Sequence, residues 1–334
     1  MSRDTLPETF LAVRSDYVDR QVVSSLVRLR FADLSAGEVI VRNRYAGVNY
    51  KDCLAIQGKA KIIASFPRIA GVELVGEVVR STVEAFSAGQ EVMVHGFQTG
   101  IAYDGGFAEY ARVPAAHVMV LPQGLSVREA AMLGVPAFSV ALALDRFRQH
   151  GILPERGPVA VSGATGAVGV LGLAILSRAG YRVSALSRRA GDGRALKALG
   201  ASEVIDAATV SDQGRLLETP RFAAAIDNVS GATLSWLLRA LQDGGMLAAV
   251  GNASGNRFET NILPFILRGI DMFGIVANAP WPVRRRLWDL LANDWRPDFS
   301  RLESHIHTIG IHELPDHSKR HLAGETTGRT LIRF

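Results

Sequence analysis

The chain has 334 residues, 48% hydrophobic and 21% charged, enough to bury a sizeable core and longer than most single domains, so two domains are expected. Its net charge of +5 arises from 37 basic and 32 acidic residues interleaved along the chain, with the densest basic clusters at Arg188-Arg189 and Arg284-Arg285-Arg286, a pattern suited to anionic small molecules and not to a dedicated nucleic-acid surface. The single cysteine, Cys53, excludes an intramolecular disulfide and a multi-cysteine zinc site and fits a reducing, cytoplasmic compartment.

The opening stretch, MSRDTLPETFLAVRSD, carries Asp4 and Glu8 and lacks a sustained apolar core, so no secretory signal is expected there. From residue 1 to about 125, short β-type runs such as EVIVRNRYAGV, ELVGEVV and QEVMVHGF alternate with glycine and proline turns, the pattern of a small barrel or sandwich. The longest uncharged apolar stretch, AAMLGVPAFSVALAL at 130–144, falls short of the ~18 residues a membrane span needs and contains Gly134 and Pro136. No membrane span is expected. From about 128 to 298 strands and helices alternate: VAVSG, a helix over 167–179, YRVSALS, a helix over 191–199, EVID, FAAAIDNV, a helix over 232–241, GMLAAVG and IDMFGIV. That alternation implies a parallel, doubly wound sheet, which binds ligands at the carboxyl ends of its strands. In the helix-like PVRRRLWDLLAN, Leu287, Leu290 and Leu291 are expected to pack and Arg284 to Arg286 to form the solvated face. The tail, 299–334, returns to short β-like pieces ending in GRTLIRF, so one domain is expected over 1–127 with 299–334 and the other over 128–298.

The segment SGATGAVG, residues 162–169, lies between the buried-type strand VAV and a helix, where a dinucleotide fingerprint belongs, although its spacing is G-x-x-G-x-x-G. Gly163 would permit the tight turn, Gly166 the approach of backbone to a pyrophosphate, and Gly169 close packing of helix on strand. The helix N-terminus would supply amide donors and partial positive charge. At the end of the second strand, where a carboxylate would accept the ribose hydroxyls of NAD, the chain has Ser187, Arg188 and Arg189. Serine and guanidinium groups bond a 2′-phosphate that a carboxylate would repel, so NADPH is favoured.

The stretches YAGVNYKDCLAIQGKAKI, FPRIAGVELVGEVV, YDGGFAEYARVPAAHVMVLPQGLSVREAAMLG, SGATGAVG, LPFILRGI and GRTLIRF, in this order, resemble the zinc-independent quinone oxidoreductase branch of the medium-chain dehydrogenase/reductases, nearest to its acrylyl-CoA reductase subgroup. The resemblance implies an α/β chain in which a GroES-like, β-rich catalytic domain built from both termini surrounds a Rossmann domain with a doubly wound parallel sheet. It implies NADPH-dependent reduction of an activated carbon-carbon double bond, such as that of acrylyl-CoA, a small-molecule partner, and a homodimer. The alternatives are a quinone reductase and an NADPH-binding sensor or RNA-binding protein with little catalysis. The cofactor contacts implied are Cys53; Gly163, Thr165, Gly166, Ala167, Val168 and Gly169 of the loop; Ser187, Arg188 and Arg189; and Asn228, Gly251, Asn252 and Arg329. No metal is implied, because zinc-dependent relatives place a cysteine at the position of Asn49 and a histidine at that of Val72. The chain departs from the subgroup at FQTGIAYDGG and GVPAFS, which bear on the acceptor and not on the family.

In such a reduction the β-carbon accepts hydride, and the enolate left behind needs electrostatic stabilisation and then a proton. In NYKD, Tyr50 is the best single candidate, since a phenol of ordinary pKa ~10 stays protonated at neutral pH and can donate. Asn49 could donate an amide hydrogen bond to the substrate oxygen or the nicotinamide ribose, Lys51 hold an anionic group, and Asp52 position its neighbours. His317 with His321 at i, i+4, or His305 with His307, could share a face, but the sequence places no third ligand, and packing histidines are the expectation.

Overall fold

The computed structural model describes residues 6–210 and 215–334; Asp4, with the rest of residues 1–5, and the segment 211–214 lie outside the described residues. The chain divides into two compact units, Met1–Val135 with Ile306–Phe334, and Pro136–His305.

The first unit is β-rich. Its larger sheet runs in the order Ile306–Ile309, Arg329–Arg333, Val39–Val48, Glu73–Ser81, Glu91–His95 and Met119–Val120, with Tyr110–Val113 also paired to Val39–Val48. All these pairings are antiparallel except that of Ile306–Ile309 with Arg329–Arg333. A smaller sheet joins Gln21–Leu29, Phe10–Val18 and Arg68–Ile69. Period-two alternation turns Val39 and Val41 inward onto Leu74, Val78, Val92 and Val94, which forms one apolar core. Phe10, Ile56, Ile69, Phe107 and Ile332 belong to a second core, and the short helix Tyr50–Ile56 contributes to it.

The second unit contains the six-stranded parallel sheet expected from the alternation. Its strand order is Ala201–Asp206, Val183–Ser187, Val159–Val161, Phe222–Asp227, Leu241–Ala249 and Asp271–Gly274, that is 3-2-1-4-5-6 in chain order within the unit. Every residue of Val159–Val161, Val183–Ser187 and Phe222–Asp227 is buried, as a sheet covered on both faces requires. At their carboxyl ends the apolar runs give way to Ser162, Ser187 and Asp227, so the polar residues collect along one edge of the sheet.

The apolar stretch at 130–144 lies within Val127–Gln149, two helical pieces meeting at a kink that together span 23 residues and are long and apolar enough to cross a membrane by length and composition alone. Gly134, at φ 48° and ψ −152°, forms the kink, and 78% of the apolar window is buried in the protein, which marks a core helix. The unit boundary falls inside this helix, at Val135/Pro136, and the second at His305/Ile306. Both lie beyond the limits read from the shift in sequence pattern, which marks the start of an element and not the division of its packing.

Arg284 is also not a solvated residue. On Trp281–Ala292 the buried stripe is Arg284, Leu287, Trp288 and Leu291, so helical period places this arginine among the apolar positions. Its guanidinium lies 5.4 Å from the centre of the Phe138 ring and 5.6 Å from that of Trp281, and burial pulls its pKa down to about 10. Arg286 pairs with Asp145 through two hydrogen bonds of 2.7 Å, and Arg285 is exposed as expected.

Candidate active site

The glycine loop in the second unit has the backbone its spacing requires. Gly163 sits at φ 57°, a conformation that L side chains rarely adopt. A Cβ at Gly169 would lie 2.3 Å from the carbonyl oxygen of Gly163, so this glycine lets the helix Ala167–Arg178 press onto the turn. Gly166 is exposed and precedes that helix, whose N-terminus has no side-chain cap, so the first-turn amides of Ala167 and Val168 are left for a ligand.

A polar clamp holds the loop. Ser162 Oγ donates to Asp227 Oδ1 at 2.6 Å and accepts from the backbone amide of Asn228 at 2.8 Å, while Asn228 Nδ2 donates to the Ser162 carbonyl at 2.7 Å. Asp227 also accepts from the amides of Ser230 and Val229, and burial pushes its carboxyl up from the ordinary range. Asn228 Oδ1 is buried without a partner among the described residues, an acceptor aligned with no protein donor. A Cβ at Gly251 would lie 2.6 Å from the Asn228 carbonyl oxygen, Thr165 is half-buried, and Asn252 is exposed.

Ser187, at the carboxyl end of its strand, opens onto a cavity of about 590 Å³ lined by Arg189, Gly193, Arg194, Lys197, Val204 and Asp206 as well. Arg188 is exposed and does not line it. The strand ends at Ser187 and the chain bends at Arg188, so the two arginines lie beyond the ladder and only Arg189 turns back onto the cavity. Ser187 Oγ accepts from the Arg189 amide at 3.1 Å, which leaves its own proton to donate. Arg194 and Lys197 escaped the sequence reading. Their i, i+3 spacing on Gly193–Ala198 was visible, but the strand end they face was not.

In the first unit, Tyr50 opens the helix Tyr50–Ile56 and is half-buried, its ring 6.1 Å from that of His321. Its hydroxyl has no hydrogen-bond partner among the described residues. Asn49 differs from expectation. Its Nδ2 donates both hydrogens within the protein, to Asp52 Oδ2 at 3.1 Å and Glu73 Oε1 at 2.7 Å. Flipping the amide would set its oxygen against two carboxylates, so Asn49 has no hydrogen left to give a substrate. Asp52 is fully buried and accepts from the amides of Asn49 and Val72; burial raises its pKa to about 6 against the pull of Lys51 and Asn49.

Arg329 and Cys53, expected beside the cofactor, are both buried in the first unit. Arg329 is 0% exposed and donates to Glu73 Oε1 at 2.8 Å, the Ala131 carbonyl at 3.1 Å and Asn49 Oδ1 at 3.4 Å, so its two terminal nitrogens brace the protein interior while its Nε has no partner among the described residues. Cys53 is buried in the second core of its unit, and desolvation together with Asp52 drives its thiol well above the usual range. His317 and His321 do share a helix face, their rings 5.9 Å apart, and burial with His317 alongside pulls His321 down to about 4. His321 Nδ1 hydrogen-bonds Thr326 Oγ1 at 2.7 Å. Among the described residues, no group of three or more His, Cys, Asp or Glu side chains is arranged to hold a metal ion.

Comparison with known proteins adds a family to this geometry. Residues 35–123 match the alcohol dehydrogenase GroES-like domain family and residues 167–293 the zinc-binding dehydrogenase family. The acrylyl-CoA reductase AcuI of Ruegeria pomeroyi is 33% identical over 96% of this chain and 98% of its own length. YhfP of Bacillus subtilis, named as a quinone oxidoreductase, is 36% identical over 90% of this chain and 92% of its own length; its crystal structure, with NAD bound, aligns with a TM-score of 0.92 over 98% of this chain and all of that one. The yhdH oxidoreductase from Salmonella enterica, in complex with NADP, aligns with a TM-score of 0.91 at 35% identity, covering 97% and 99% of the two chains.

Proposed function

The chain belongs to the quinone oxidoreductase family of the medium-chain dehydrogenase/reductases, and from that membership and its own site residues we propose that it is an NADPH-dependent reductase of activated carbon-carbon double bonds, with an acrylyl-CoA-like enoyl thioester or an enone as acceptor. The observation that carries the cofactor half is the end of the strand Val183–Ser187, where a serine ends the strand and the cavity beside it is lined by three cations, Arg189, Arg194 and Lys197, against one carboxylate, Asp206. The orphaned Asn228 Oδ1 and the uncapped helix behind Gly166 fit the same dinucleotide, as acceptor and amide donors respectively.

Bound NADPH supplies the hydride. Tyr50 stabilises and protonates the enolate through its unpartnered hydroxyl, and Asn49, Asp52, Glu73 and Arg329 hold the start of the Tyr50 helix in place. Zinc does not fit this chain. An amide at Asn49 already committed to two carboxylates and an isopropyl group at Val72 stand where zinc-dependent relatives have ligands, so no step is assigned to a metal. A buried lone cysteine suits a reducing compartment, which we take to be the cytoplasm, and the interleaving of basic with acidic residues along the chain favours a small anionic ligand over a nucleic acid.

The decisive assay is NADPH oxidation with acrylyl-CoA, crotonyl-CoA and simple quinones, before and after exhaustive chelation. Turnover of an enoyl thioester that survives chelation is expected. Turnover of quinones alone would favour the quinone reductase reading, no turnover with any acceptor would favour a binding protein, and activity lost on chelation and restored by zinc would end the metal-free reading.

We also propose a homodimer. The edge strand Asp271–Gly274 leaves one side of the parallel sheet unpaired, and Ile262 (63% exposed), Ile266 (65%) and Leu267 (62%) lie exposed on and beside the preceding helix Leu263–Arg268. Light scattering should return about twice the chain mass of 35.9 kDa. A monomer at working concentration would refute it.

A further inference from the structure

Tyr50 carries a hydroxyl with no protein partner among the described residues, so no hydrogen bond fixes where its phenol points. Packing must do so. The helix it opens, Tyr50–Ile56, lies along the helix Leu314–Leu322 close to the end of the chain, and Leu314 and Leu322 share an apolar core with Cys53 and Ile56. The contact is tied at both ends. Past the last turn of the first helix, Gln57 Nε2 donates to the Pro315 carbonyl at 3.1 Å and to Ser318 Oγ at 2.7 Å, at the start of the second. At the start of the first, the Tyr50 ring meets that of His321 in the last turn of the second, with centres 6.1 Å apart and planes tilted by 50°. The helices thus run antiparallel. Among the described residues, His321 is the one aromatic ring in contact with Tyr50. It is itself fixed, by the hydrogen bond of its Nδ1 to Thr326 Oγ1 at 2.7 Å and by the His317 ring 5.9 Å away on the same face.

Resting on the reading of Tyr50 as proton donor, we propose that His321, anchored by Thr326, is a positioning residue that sets the direction of the Tyr50 phenol toward the acceptor. A tyrosine turns about two side-chain bonds, and a half-buried one with an unbonded hydroxyl keeps that freedom unless a neighbouring ring limits it. Tilted ring pairs at this separation have a preferred geometry, because the edge of one ring is drawn to the face of the other. Proton transfer needs donor and acceptor within about 2.6–3.2 Å, so a phenol displaced by even ~1 Å loses most productive encounters. His321 stays uncharged at neutral pH, because burial and His317 pull its pKa down to about 4. It therefore acts through packing and not through charge.

The test compares Tyr50→Phe, His321→Ala, His321→Phe and the Tyr50→Phe, His321→Ala double variant by steady-state kinetics of the whole protein with NADPH and crotonyl-CoA. Nuclear magnetic resonance of isotope-labelled tyrosine rings reads the contact without turnover, the Tyr50 signal being the one that Tyr50→Phe lacks. His321→Ala should shift that signal and lower kcat about 5- to 50-fold, with KM for the acceptor and NADPH affinity changed by less than about twofold. His321→Phe restores a ring without the bond to Thr326 and should return to within about threefold of the wild type. With the Tyr50 hydroxyl already removed, His321→Ala should cost less than about twofold more, since the two residues act as one unit. A folded His321→Ala protein with wild-type kcat, an equal loss with and without the Tyr50 hydroxyl, or His321→Phe no better than His321→Ala would overturn the proposal. Should His321→Ala not fold, Thr326→Val cuts the anchor, leaves the ring in place and makes the same comparison at smaller amplitude. Wild-type turnover by Tyr50→Phe, with the His321 contact intact by resonance, would instead overturn the proton-donor reading on which the proposal rests.

Discussion

Replacing Arg329 with alanine is expected to cost about 3–5 kcal/mol of stability, the range for removing one partner of a buried ion pair. The guanidinium is fully buried, and its loss strands Glu73, whose Oε1 would keep only Asn49 Nδ2 and whose Oε2 would keep only the Val135 amide at 2.8 Å. The same change opens a void among Gly47, Gly134 and Ala131, since a Cβ on Gly47 would lie 1.9 Å from Arg329 Nη2 and one on Gly134 2.4 Å from it. Denaturant unfolding checks the figure. A second variant isolates the charge: Arg329→Met with Glu73→Gln removes both ions while retaining much of the volume, and should recover a good part of the loss. If Arg329→Ala unfolds no more easily than the wild type, the pair does not brace this unit.

Tyr50→Phe is expected to lower turnover of the enoyl acceptor by about ten- to a thousandfold, the range spanned by losing a general acid or an oxyanion donor. The structure makes this substitution a clean one. The Tyr50 hydroxyl has no protein partner among the described residues, so deleting it strands no donor or acceptor, and phenylalanine keeps the ring that packs near His321. Unfolding midpoint and NADPH affinity should therefore stay nearly constant while kcat falls, and steady-state kinetics beside a cofactor titration separate the two. Unchanged turnover would assign the proton to water.

Local features were legible in the sequence wherever the chemistry depended on neighbours a few residues apart. The glycines at 163 and 169 could be assigned their roles from spacing because the turn and the close approach both lie within one strand-turn-helix connection, and the structure puts φ 57° at the first and a 2.3 Å approach at the second. The parallel sheet was legible for a similar reason: fully apolar runs such as FAAAID recur between helical stretches, and a strand of that kind is stable only when covered on both faces. Ser187 could be found because it ends such a run.

What failed was the inference of what each side chain touches. Asn49 looked free to donate, but Glu73, 24 residues away, takes one of its hydrogens, and Arg329, 256 residues from Glu73, completes the pair. Arg284 looked solvated because it stands in a run of three arginines, yet helical period sets it on the buried stripe. Asp206 faces Ser187 only because two strands separated by a helix lie side by side in register. Sequence by itself determined the backbone: which segments extend, which coil, and where glycine permits a turn, because those preferences are local and repeat with a period of two or 3.6 residues. Only the tertiary structure decided which hydrogen-bond donors and charges remain available to a ligand, because availability is what is left after distant parts of the chain have satisfied one another, and burial makes that satisfaction obligatory.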